Sequence, residues 1–309
     1  MKSIKAFAPA TVANVSCGFD IFGFAVDAPG DEVILTLTDE PGVKISKITG
    51  DGGRLPLEAD KNTVSVGVIN LLKSVGSNQG VSIELNKKLP LGSGMGSSAA
   101  SSAASLVGMN HLLGEPLSRK ELLPFAMECE RIACGSAHAD NVAPSLLGGF
   151  VLIRGYSPLD VVSIPTPADL YCVLVHPHLE LKTEDSRQVL RQSIALKDAI
   201  TQWGNIAGLV AGLMKPDYDL IGRSLKDVVA EPIRATLIPG FDAMKAAAME
   251  AGALGSGISG SGPTIFSLCT DPTTGQQIGE AIQARFAKFK VESEIFVSRI
   301  NPEGARIIS

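Results

Sequence analysis

A strand, a glycine-rich loop and a helix of small residues follow one another at positions 81–113, and this order constrains the fold more than any other feature. Apolar and polar residues alternate at 81–85, which predicts a strand with one wet face. Such a strand is typical of an antiparallel sheet rather than of a doubly wound parallel one. The loop then reads LGSGMGSSAAS from Leu91 to Ser101, and a helix is predicted from about Ser97 to Leu113.

A loop of this kind can bind an anion. The first N–H groups of a helix have no intrahelical partner, and the helix dipole is positive at that end. Glycines allow a phosphate oxygen to approach the backbone without meeting a Cβ. Ser97 or Ser98 could cap the helix, or use its hydroxyl on a ligand or metal. The alternative is a glycine turn that packs a small-residue helix closely against a sheet; a phosphate site is favoured.

Three common glycine loops do not fit this stretch. A Walker A loop needs a lysine after its glycines, and none follows here. A dinucleotide-binding loop needs GxGxxG after a buried strand, whereas Gly92, Gly94 and Gly96 are evenly spaced and follow a half-polar strand. A serine-hydrolase elbow needs GxSxG, which this stretch lacks.

The composition is that of an ordinary globular protein. The chain has 309 residues, of which 45% are hydrophobic and 19% charged, with a formal net charge of −5. This length indicates about two domains of roughly 100–200 residues each. Nucleic-acid binders usually carry a basic stripe, so the mild acidity argues against a nucleic-acid partner.

The cysteines and the N-terminal segment indicate a cytoplasmic protein. The five cysteines form no CxxC pair, and an odd number favours reduced thiols over a disulfide framework or zinc site. His176 and His178 have only a weak metal-site spacing. The N-terminus lacks the apolar core of a signal peptide. The long uncharged stretch at 89–114 is too rich in glycine and serine for a membrane span, so no membrane partner is expected.

Strands and helices mix in both halves without a regular βα repeat, which predicts an α+β protein. Pro158, Pro165 and Pro167 indicate a boundary between a domain at 1–157 and a domain at 158–309. The predicted strands are 34–38, 81–85, 149–154, 170–176, 264–268 and 294–300; the predicted helices are 63–75, 97–113, 121–132, 184–200, 204–214, 241–251 and 276–289.

The loop pattern Pro-x-Gly-x-Gly-x-Gly-Ser-Ser resembles the phosphate loop of the GHMP kinase superfamily. Other segments resemble motifs of its homoserine kinase family, in the same order and from end to end of the chain. Departures are small: Val15-Ser16-Cys17 stands where the family often has a glycine-richer turn, and Ala137 replaces a proline. The matching segments are Pro9 to Ala25, Pro90 to Ser98, Gly135 to Phe150, Lys182 to Arg191, Glu231 to Phe241 and Gly252 to Leu268.

This resemblance implies a fold and an activity. The fold would be the two-domain GHMP kinase fold, with an ATP-binding N-terminal domain like domain 2 of ribosomal protein S5 and a ferredoxin-like C-terminal domain. The activity would be transfer of the ATP γ-phosphate to the side-chain hydroxyl of L-homoserine, on the route to threonine. The resemblance also implies Mg²⁺ as cofactor and a homodimer, with the active site between the two domains.

The amino-acid substrate would present a carboxylate, an ammonium and a hydroxyl. A carboxylate suits a planar guanidinium, and Arg187 and Arg234 lie in the two segments that resemble substrate motifs. The ammonium needs acceptors, and Asp20 with the neighbouring Asn14 is the favoured choice. The resemblance adds two further substrate contacts, Thr183 and Gly260; the glycine run at 255–262 is expected to pack beside the phosphate loop.

Three side chains of the HADN segment compete for the substrate hydroxyl. His138 could be a base or a substrate contact, Asp140 a base, and Asn141 an orienting group, since an amide cannot take a proton. The resemblance implies that Asn141 lies by the hydroxyl and that no base is required. Such a mechanism is chemically reasonable because a loose phosphoryl-transfer transition state depends mainly on alignment and charge stabilisation. A scaffold role for His138 and Asp140 remains the alternative.

Mg²⁺ takes few protein oxygens and keeps several waters. Glu130 matches the metal-binding glutamate of the family, and Ser98 could add its hydroxyl. Lys87 could neutralise phosphate charge or simply be solvated at a strand end. Asn62 and Val64 resemble residues that cover the adenine. The implied nucleotide contacts of the loop are Pro90, Leu91, Gly92, Ser93, Gly94, Met95, Gly96, Ser97 and Ser98.

Other functions compete with this interpretation. A GHMP kinase acting on mevalonate or a sugar is disfavoured by the paired arginines, because a sugar has no carboxylate. A silent ATP or amino-acid sensor on the same fold is disfavoured by the presence of Glu130, Ser98 and Asn141. A serine amidase is suggested only by the Gly-Ser richness.

Overall fold

The computed structural model describes residues 2–135, 137–181 and 183–309, with the side chains of Cys134 and Thr183 outside the described part. It confirms a mixed α+β architecture. The strands are β1 Ser3–Ala13, β2 Phe22–Thr38, β3 Val43–Thr49, β4 Gly80–Asn86, β5 Phe150–Tyr156, β6 Leu159–Ile164, β7 Tyr171–Pro177, β8 Gly255–Ile258, β9 Ile265–Cys269, β10 Ser293–Arg299 and β11 Arg306–Ile307. The helices are α1 Thr63–Ser74, α2 Ser97–Leu112, α3 Leu123–Cys134, α4 Val142–Leu147, α5 Thr183–Gln188, α6 Leu196–Met214, α7 Tyr218–Ser224, α8 Glu231–Arg234, α9 Phe241–Glu250 and α10 Pro272–Lys288.

The first sheet has the strand order β11-β1-β2-β4-β3, with β5 beside β2 and β6 beside β5. Strand β4 runs antiparallel to β2, as its alternating pattern predicts, and parallel to β3. Helix α2 lies against β1 and β2 and is buried along most of its length. Its small residues permit this approach: a Cβ on Gly108 would lie 2.4 Å from Leu35 Cδ1. The close packing of a small-residue helix against a sheet, which was the alternative to a phosphate site, is therefore present next to the glycine loop.

The second sheet has the order β10-β7-β9-β8 and is antiparallel throughout. Numbered by their order along the chain, these strands read 4-1-3-2 in a βαββαβ arrangement. Helices α9 and α10 pack on this sheet through a core that includes Val173, Met244, Ile278 and Phe286. The ferredoxin-like C-terminal fold is confirmed.

One predicted helix, at 184–200, is wrong. The chain forms α5 as far as Gln188 and starts α6 only at Leu196, which then continues through the predicted helix at 204–214. Tertiary contacts explain the break: the carbonyl of Ser186 accepts a hydrogen bond from Arg234 Nε at 3.1 Å. In a continuous helix the carbonyl of Ser186 would accept a hydrogen bond from the N–H of Leu190. That N–H donates instead to the carbonyl of Arg187, in a tight turn.

Residues on both sides of position 157 contribute to the first sheet. Strand β6 follows the proline-marked boundary but pairs with β5, and β11 at the C-terminal end pairs with β1. The division at 157/158 stays a prediction. In the described ranges, no helix combines the length and the apolar character that a membrane crossing requires.

Candidate active site

The glycines of the loop hold a backbone conformation that other residues rarely adopt. Gly92, Gly94 and Gly96 have φ values of 65°, 79° and 66°. A Cβ on Gly94 would lie 2.5 Å from the carbonyl oxygen of Ser259, and one on Gly96 would lie 2.0 Å from Thr11 Oγ1. Left-handed backbone and close neighbours together explain why every second position is glycine.

The two glycine runs pack against each other, as predicted. Ser259 Oγ donates to the carbonyl of Gly94 at 2.8 Å, and the N–H of Thr264 donates to the carbonyl of Ser93 at 3.2 Å. These contacts join the N-terminal loop to the turn between β8 and β9 in the C-terminal half. Gly260 of the second run also accepts a hydrogen bond from Arg234 at 3.1 Å, and we call the region between the glycine loop and Arg234 the candidate cleft.

Helix α2 begins at the loop without a side-chain cap. Its N-cap is Gly96, in the left-handed region. The capping role considered for Ser97 and Ser98 is therefore wrong: Ser97 Oγ donates to the carbonyl of Leu89 at 3.2 Å, and Ser98 Oγ donates to Glu130 Oε1 at 2.6 Å. Among the described residues no side chain caps this helix, so the N–H groups of its first turn suit an anionic ligand.

Lys87 lies underneath the loop rather than in the cleft. Its ammonium is buried and contacts the Asp31 carboxylate, the carbonyl of Ser97 and, at 2.8 Å, Ser101 Oγ. Asp31 Oδ1 also accepts the backbone N–H groups of 88 and 89, at 2.9 and 3.0 Å. An ammonium has three donors, and these contacts use them all. The structure thus favours a loop-holding role for Lys87 over its predicted nucleotide contact.

Asn62 and Val64 form the start of helix α1. Asn62 is the N-cap: its Oδ1 accepts from the N–H of Val64 at 3.0 Å, and its Nδ2 donates to the carbonyl of Pro56 at 2.7 Å. Val64 is fully buried. These contacts account for both residues structurally, and their nucleotide role stays a prediction.

Glu130 and Ser98 offer oxygens that suit Mg²⁺. Glu130 lies on α3 and is buried beside the start of α2. Burial raises the pKa of its carboxyl, and the hydrogen bond from Ser98 and the charge of Lys87 oppose that rise. In the parts of the chain that the structure describes, no group of three or more His, Cys, Asp or Glu could hold a metal ion. One carboxylate and one hydroxyl beside a phosphate loop nevertheless fit Mg²⁺, which relies on phosphate and water oxygens for the rest.

Asp20 and Arg187 are paired across the cleft. Arg187 Nη1 donates to Asp20 Oδ2 at 3.0 Å, and Nη2 donates to Oδ1 at 2.8 Å. The ring of Phe19 lies beneath both guanidinium groups, 5.5 Å from Arg187 Cζ and 5.0 Å from Arg234 Cζ. The two arginines therefore converge on one point, as their predicted role requires.

Arg234, Asn14 and Gly260 form one hydrogen-bonded unit. The carbonyl of Gly260 accepts from Asn14 Nδ2 at 2.7 Å and from Arg234 Nη1 at 3.1 Å. Asn14 Oδ1 accepts from the N–H of Asp20 at 3.0 Å. Burial, followed by the charge of Arg187, lowers the pKa of Arg234. The predicted substrate residues are thus brought together, except Thr183, whose side chain lies outside the described residues.

The turn before Gly18 is strained. Asn14, Val15 and Ser16 have φ values of 69°, 42° and 56°, and Asp20 has 60°. Non-glycine residues seldom adopt these values, and clusters of them occur at functional sites. This turn, at which the sequence departs from the family pattern, is thus held by non-glycine residues in the left-handed backbone region.

Asn141 lies at the loop, held by a residue that the sequence analysis missed. Thr11 Oγ1 donates to Asn141 Oδ1 at 2.7 Å. A Cβ on Gly96 would lie 2.9 Å from the same oxygen. This contact fixes the amide beside the predicted phosphate site. The signal for Thr11 was its position in the N-terminal motif PATVANVS.

Asp140 and His138 lie among charged neighbours. Asp140 is buried, and burial together with repulsion from Asp20 and Glu130 raises the pKa of its carboxyl to about 7. Burial lowers the pKa of His138, whose Nδ1 is 3.8 Å from Asp20 Oδ2. Tyr156, also missed from sequence, donates its hydroxyl to the Asp20 carbonyl at 2.7 Å and accepts from the N–H of Ala139 at 3.3 Å. It thereby ties the HADN segment to the Asp20 turn.

Comparison with known proteins places this chain in a family. Residues 62–149 match the GHMP kinases N terminal domain, and residues 209–288 match the GHMP kinases C terminal domain. The chain is 53% identical to a homoserine kinase of Chlorobium phaeobacteroides strain BS1 and 56% identical to one of Chlorobium phaeovibrioides. Each alignment covers 100% of both chains.

Solved structures agree. The crystal structure of homoserine kinase from Cytophaga hutchinsonii has a TM-score of 0.97 at 58% identity, covering 100% of this chain and 98% of that one. Mevalonate kinase of L. major shares the fold, with a TM-score of 0.72 at 14% identity and 96% of each chain covered. From its motifs, its fold and these full-length relatives, the chain belongs to the homoserine kinase family of the GHMP kinases.

Proposed function

We propose that this protein transfers the γ-phosphate of ATP to the side-chain hydroxyl of L-homoserine, giving O-phospho-L-homoserine on the route to threonine, in the cytoplasm. The observation that carries the proposal is one cleft. Gly260 joins its two parts: its carbonyl accepts from Arg234, which lies over Phe19 with Arg187, and a Cβ on Gly260 would lie 3.0 Å from the carbonyl oxygen of Gly94 in the loop. A phosphate donor and a carboxylate-bearing acceptor would meet between them.

The phosphates of ATP would lie on the loop. Its glycines expose backbone without side chains, and the uncapped start of α2 adds N–H donors and the positive end of the helix dipole. Lys87 and Asp31 hold this backbone from below. Glu130 and Ser98 would hold Mg²⁺, which when bound neutralises charge on the phosphate oxygens.

The amino-acid substrate would lie across Phe19. Arg234 and Arg187 are the donors for its carboxylate, and their planar guanidinium groups match two carboxylate oxygens. Asp20 and Asn14 are the predicted acceptors for its ammonium and lie at the same end of the cleft. This arrangement directs the side chain of the substrate toward Asn141 and the loop.

Transfer would proceed in line. The substrate oxygen forms a bond to the γ-phosphorus, the bond to the β,γ-bridging oxygen breaks, and ADP leaves with that electron pair. Asn141, held by Thr11, orients the hydroxyl. Deprotonation comes late in a loose transition state, so alignment carries most of the catalysis. We propose Asp140 as the acceptor of the departing proton because it directly precedes Asn141 in the HADN segment and its buried carboxyl, with a pKa raised to about 7, can take up a proton at neutral pH.

A homodimer is the proposed assembly. Helix α6 exposes a stripe of large apolar side chains: Leu196 is 68% exposed, Ile200 57% and Trp203 60%. Their spacing of four and then three residues places them on one face of the helix. A second copy meeting this face about a two-fold axis would cover the stripe on both chains. Trp203→Glu should convert the dimer to a monomer in light scattering coupled to gel filtration; an unchanged mass would contradict this interface.

One assay tests the proposed activity. The protein is incubated with Mg-ATP and, separately, with L-homoserine, mevalonate or galactose, while ADP formation is followed. We expect ADP with L-homoserine alone, and a phosphomonoester product by phosphorus NMR. ADP formed only with mevalonate or galactose would indicate another GHMP kinase, and ATP binding without ADP formation would indicate a silent sensor.

A further inference from the structure

A glutamate side chain lies against the first glycine of the phosphate loop. A Cβ built on Gly92 would lie 2.6 Å from Cγ and 3.3 Å from Oε1 of Glu180. The next residue, Leu181, donates its N–H to the carbonyl of Gly92 at 3.3 Å, which holds the segment after β7 on the loop. A negative charge thus lies on the face of Gly92 that the missing side chain leaves open.

Glu180 is paired with Arg54. Arg54 Nη1 donates to Glu180 Oε2 at 2.6 Å, and the two side chains are 52% and 49% exposed. Arg54 lies in the segment between β3 and α1, whereas Glu180 follows β7. An ion pair that is half exposed on both sides contributes little to stability. Stabilising the fold therefore does not account for this contact between the two halves of the chain.

The segment that carries Arg54 is fixed at both ends beside the predicted nucleotide site. Gly50 packs against the residue that follows β4, since a Cβ on it would lie 1.9 Å from the carbonyl oxygen of Lys87. Asn62, a predicted nucleotide contact, caps α1 and donates to the carbonyl of Pro56 at 2.7 Å. The guanidinium of Arg54 is thus held at the phosphate loop through Glu180, on a segment that also contacts Asn62.

The phosphates of ATP carry several negative charges, and the ammonium of Lys87 beneath the loop is already neutralised. Its donors are used by Asp31, Ser97 and Ser101. A guanidinium has five N–H donors and can bind two phosphate oxygens side by side. Because the side chain of Arg54 is half exposed, it can exchange the carboxylate for a phosphate without disturbing the core.

We propose that Arg54 binds a phosphate of the nucleotide and that Glu180 competes with this phosphate for Arg54. Glu180 lies on the open face of Gly92, where its charge repels an anionic ligand. When the nucleotide binds, Arg54 exchanges Glu180 for the phosphate, and the carboxylate turns toward solvent. This inference rests on the ATP binding in the function proposed above, and it gives the two members of one ion pair opposite effects on nucleotide affinity.

The test breaks the pair from each side in turn. Titration calorimetry measures the binding of β,γ-methylene-ATP with Mg²⁺, and the affinity of adenosine is measured by competition with this analogue. Arg54→Gln should weaken binding of the analogue about tenfold, as for loss of a charge-assisted hydrogen bond at a half-exposed site. Glu180→Gln should tighten it about threefold, because the competing charge is lost. Adenosine has no phosphate, so its affinity should change by less than about twofold in either variant.

Matched variants control for the loss of an exposed ion pair as such. Arg223 Nε lies 2.8 Å from Asp219 Oδ2 in an exposed pair on α7, and Arg223→Gln or Asp219→Asn should change the affinity of the analogue less than about twofold. The Tm of each variant without ligand should stay within about 2 °C of the wild type, so that the affinities compare folded proteins.

The sign of the two effects decides the outcome. Weaker binding in both Arg54→Gln and Glu180→Gln would mean that the pair only joins two loops, and it would overturn the inference. An unchanged affinity of the analogue in either variant would overturn it too, as would an equal loss for adenosine. The measurement needs no turnover. A wild-type protein that binds the analogue but forms no ADP with L-homoserine would therefore refute the proposed function and leave this test intact.

Discussion

Replacing Lys87 with methionine separates a structural lysine from a phosphate-binding one. The substitution would leave the Asp31 carboxylate buried, with Ser101 and two backbone N–H groups as its remaining partners. Removing one member of a buried ion pair costs about 3–5 kcal/mol. An unfolding entropy of about 2.1 cal/mol/K per residue gives about 0.65 kcal/mol/K for a chain of this length. The expected fall in Tm is therefore about 5–8 °C.

The assay is thermal unfolding followed by calorimetry, with Lys88→Met as the matched control. Lys88 is adjacent, and its exposed ammonium pairs with Glu32, so its loss should change the free energy of unfolding by less than about 1 kcal/mol. Asp31→Asn combined with Lys87→Met should recover much of the lost stability, because an amide oxygen can still accept from the backbone N–H groups of 88 and 89.

Catalysis provides the second measurement. Because Lys87 supports the loop from below, Lys87→Met should raise the KM for ATP more than the KM for L-homoserine. A Tm equal to that of the wild type, together with a loss of ATP binding, would refute the structural role and restore the phosphate contact suggested by the sequence.

Three further substitutions test the cleft. Glu130→Ala should lower kcat by at least roughly a hundredfold and weaken the dependence of the rate on Mg²⁺; near-normal turnover would move the metal elsewhere. Arg234→Leu should raise the KM for L-homoserine about ten- to a hundredfold while the KM for ATP changes little, with exposed Arg223→Leu as control; equal effects on both substrates would contradict its role. Asp140, with a pKa raised from 3.8 to about 7, passes from mostly protonated to mostly ionised through neutral pH, so kcat should rise through pH 7 and Asp140→Asn should abolish that step. The carboxyl of Asp140 also binds its proton more tightly in the folded state than in the unfolded chain. Its contribution to stability is therefore full below about pH 4 and falls as the pH rises to about 7. Urea titrations of Asp140→Asn should lack that fall.

Local sequence was sufficient for the elements around the loop. The alternating residues at 81–85 lie in an antiparallel strand, and α2 spans nearly the predicted residues. The even spacing of the glycines indicates that the backbone needs an unusual conformation at every second position. Gly92, Gly94 and Gly96 indeed have left-handed φ values. Periodicity and glycine placement depend on neighbours a few residues away, which is why they can be read directly.

Long-range partners decided the rest. Lys87 pairs with Asp31, 56 positions away, and Asn141 with Thr11, 130 positions away; no local pattern predicts either pairing. The predicted helix at 184–200 ends early because Arg234 takes the carbonyl of Ser186 from 48 positions further along. In the sequence Glu231 is only one residue of a segment that resembles a family motif. In the structure its Oε2 is buried beside Ser16 and has no hydrogen-bond partner among the described residues. The sequence alone determined the loop, the elements that flank it and the family. The tertiary structure decided which charges are already neutralised, because desolvation and pairing depend on groups that only folding brings together.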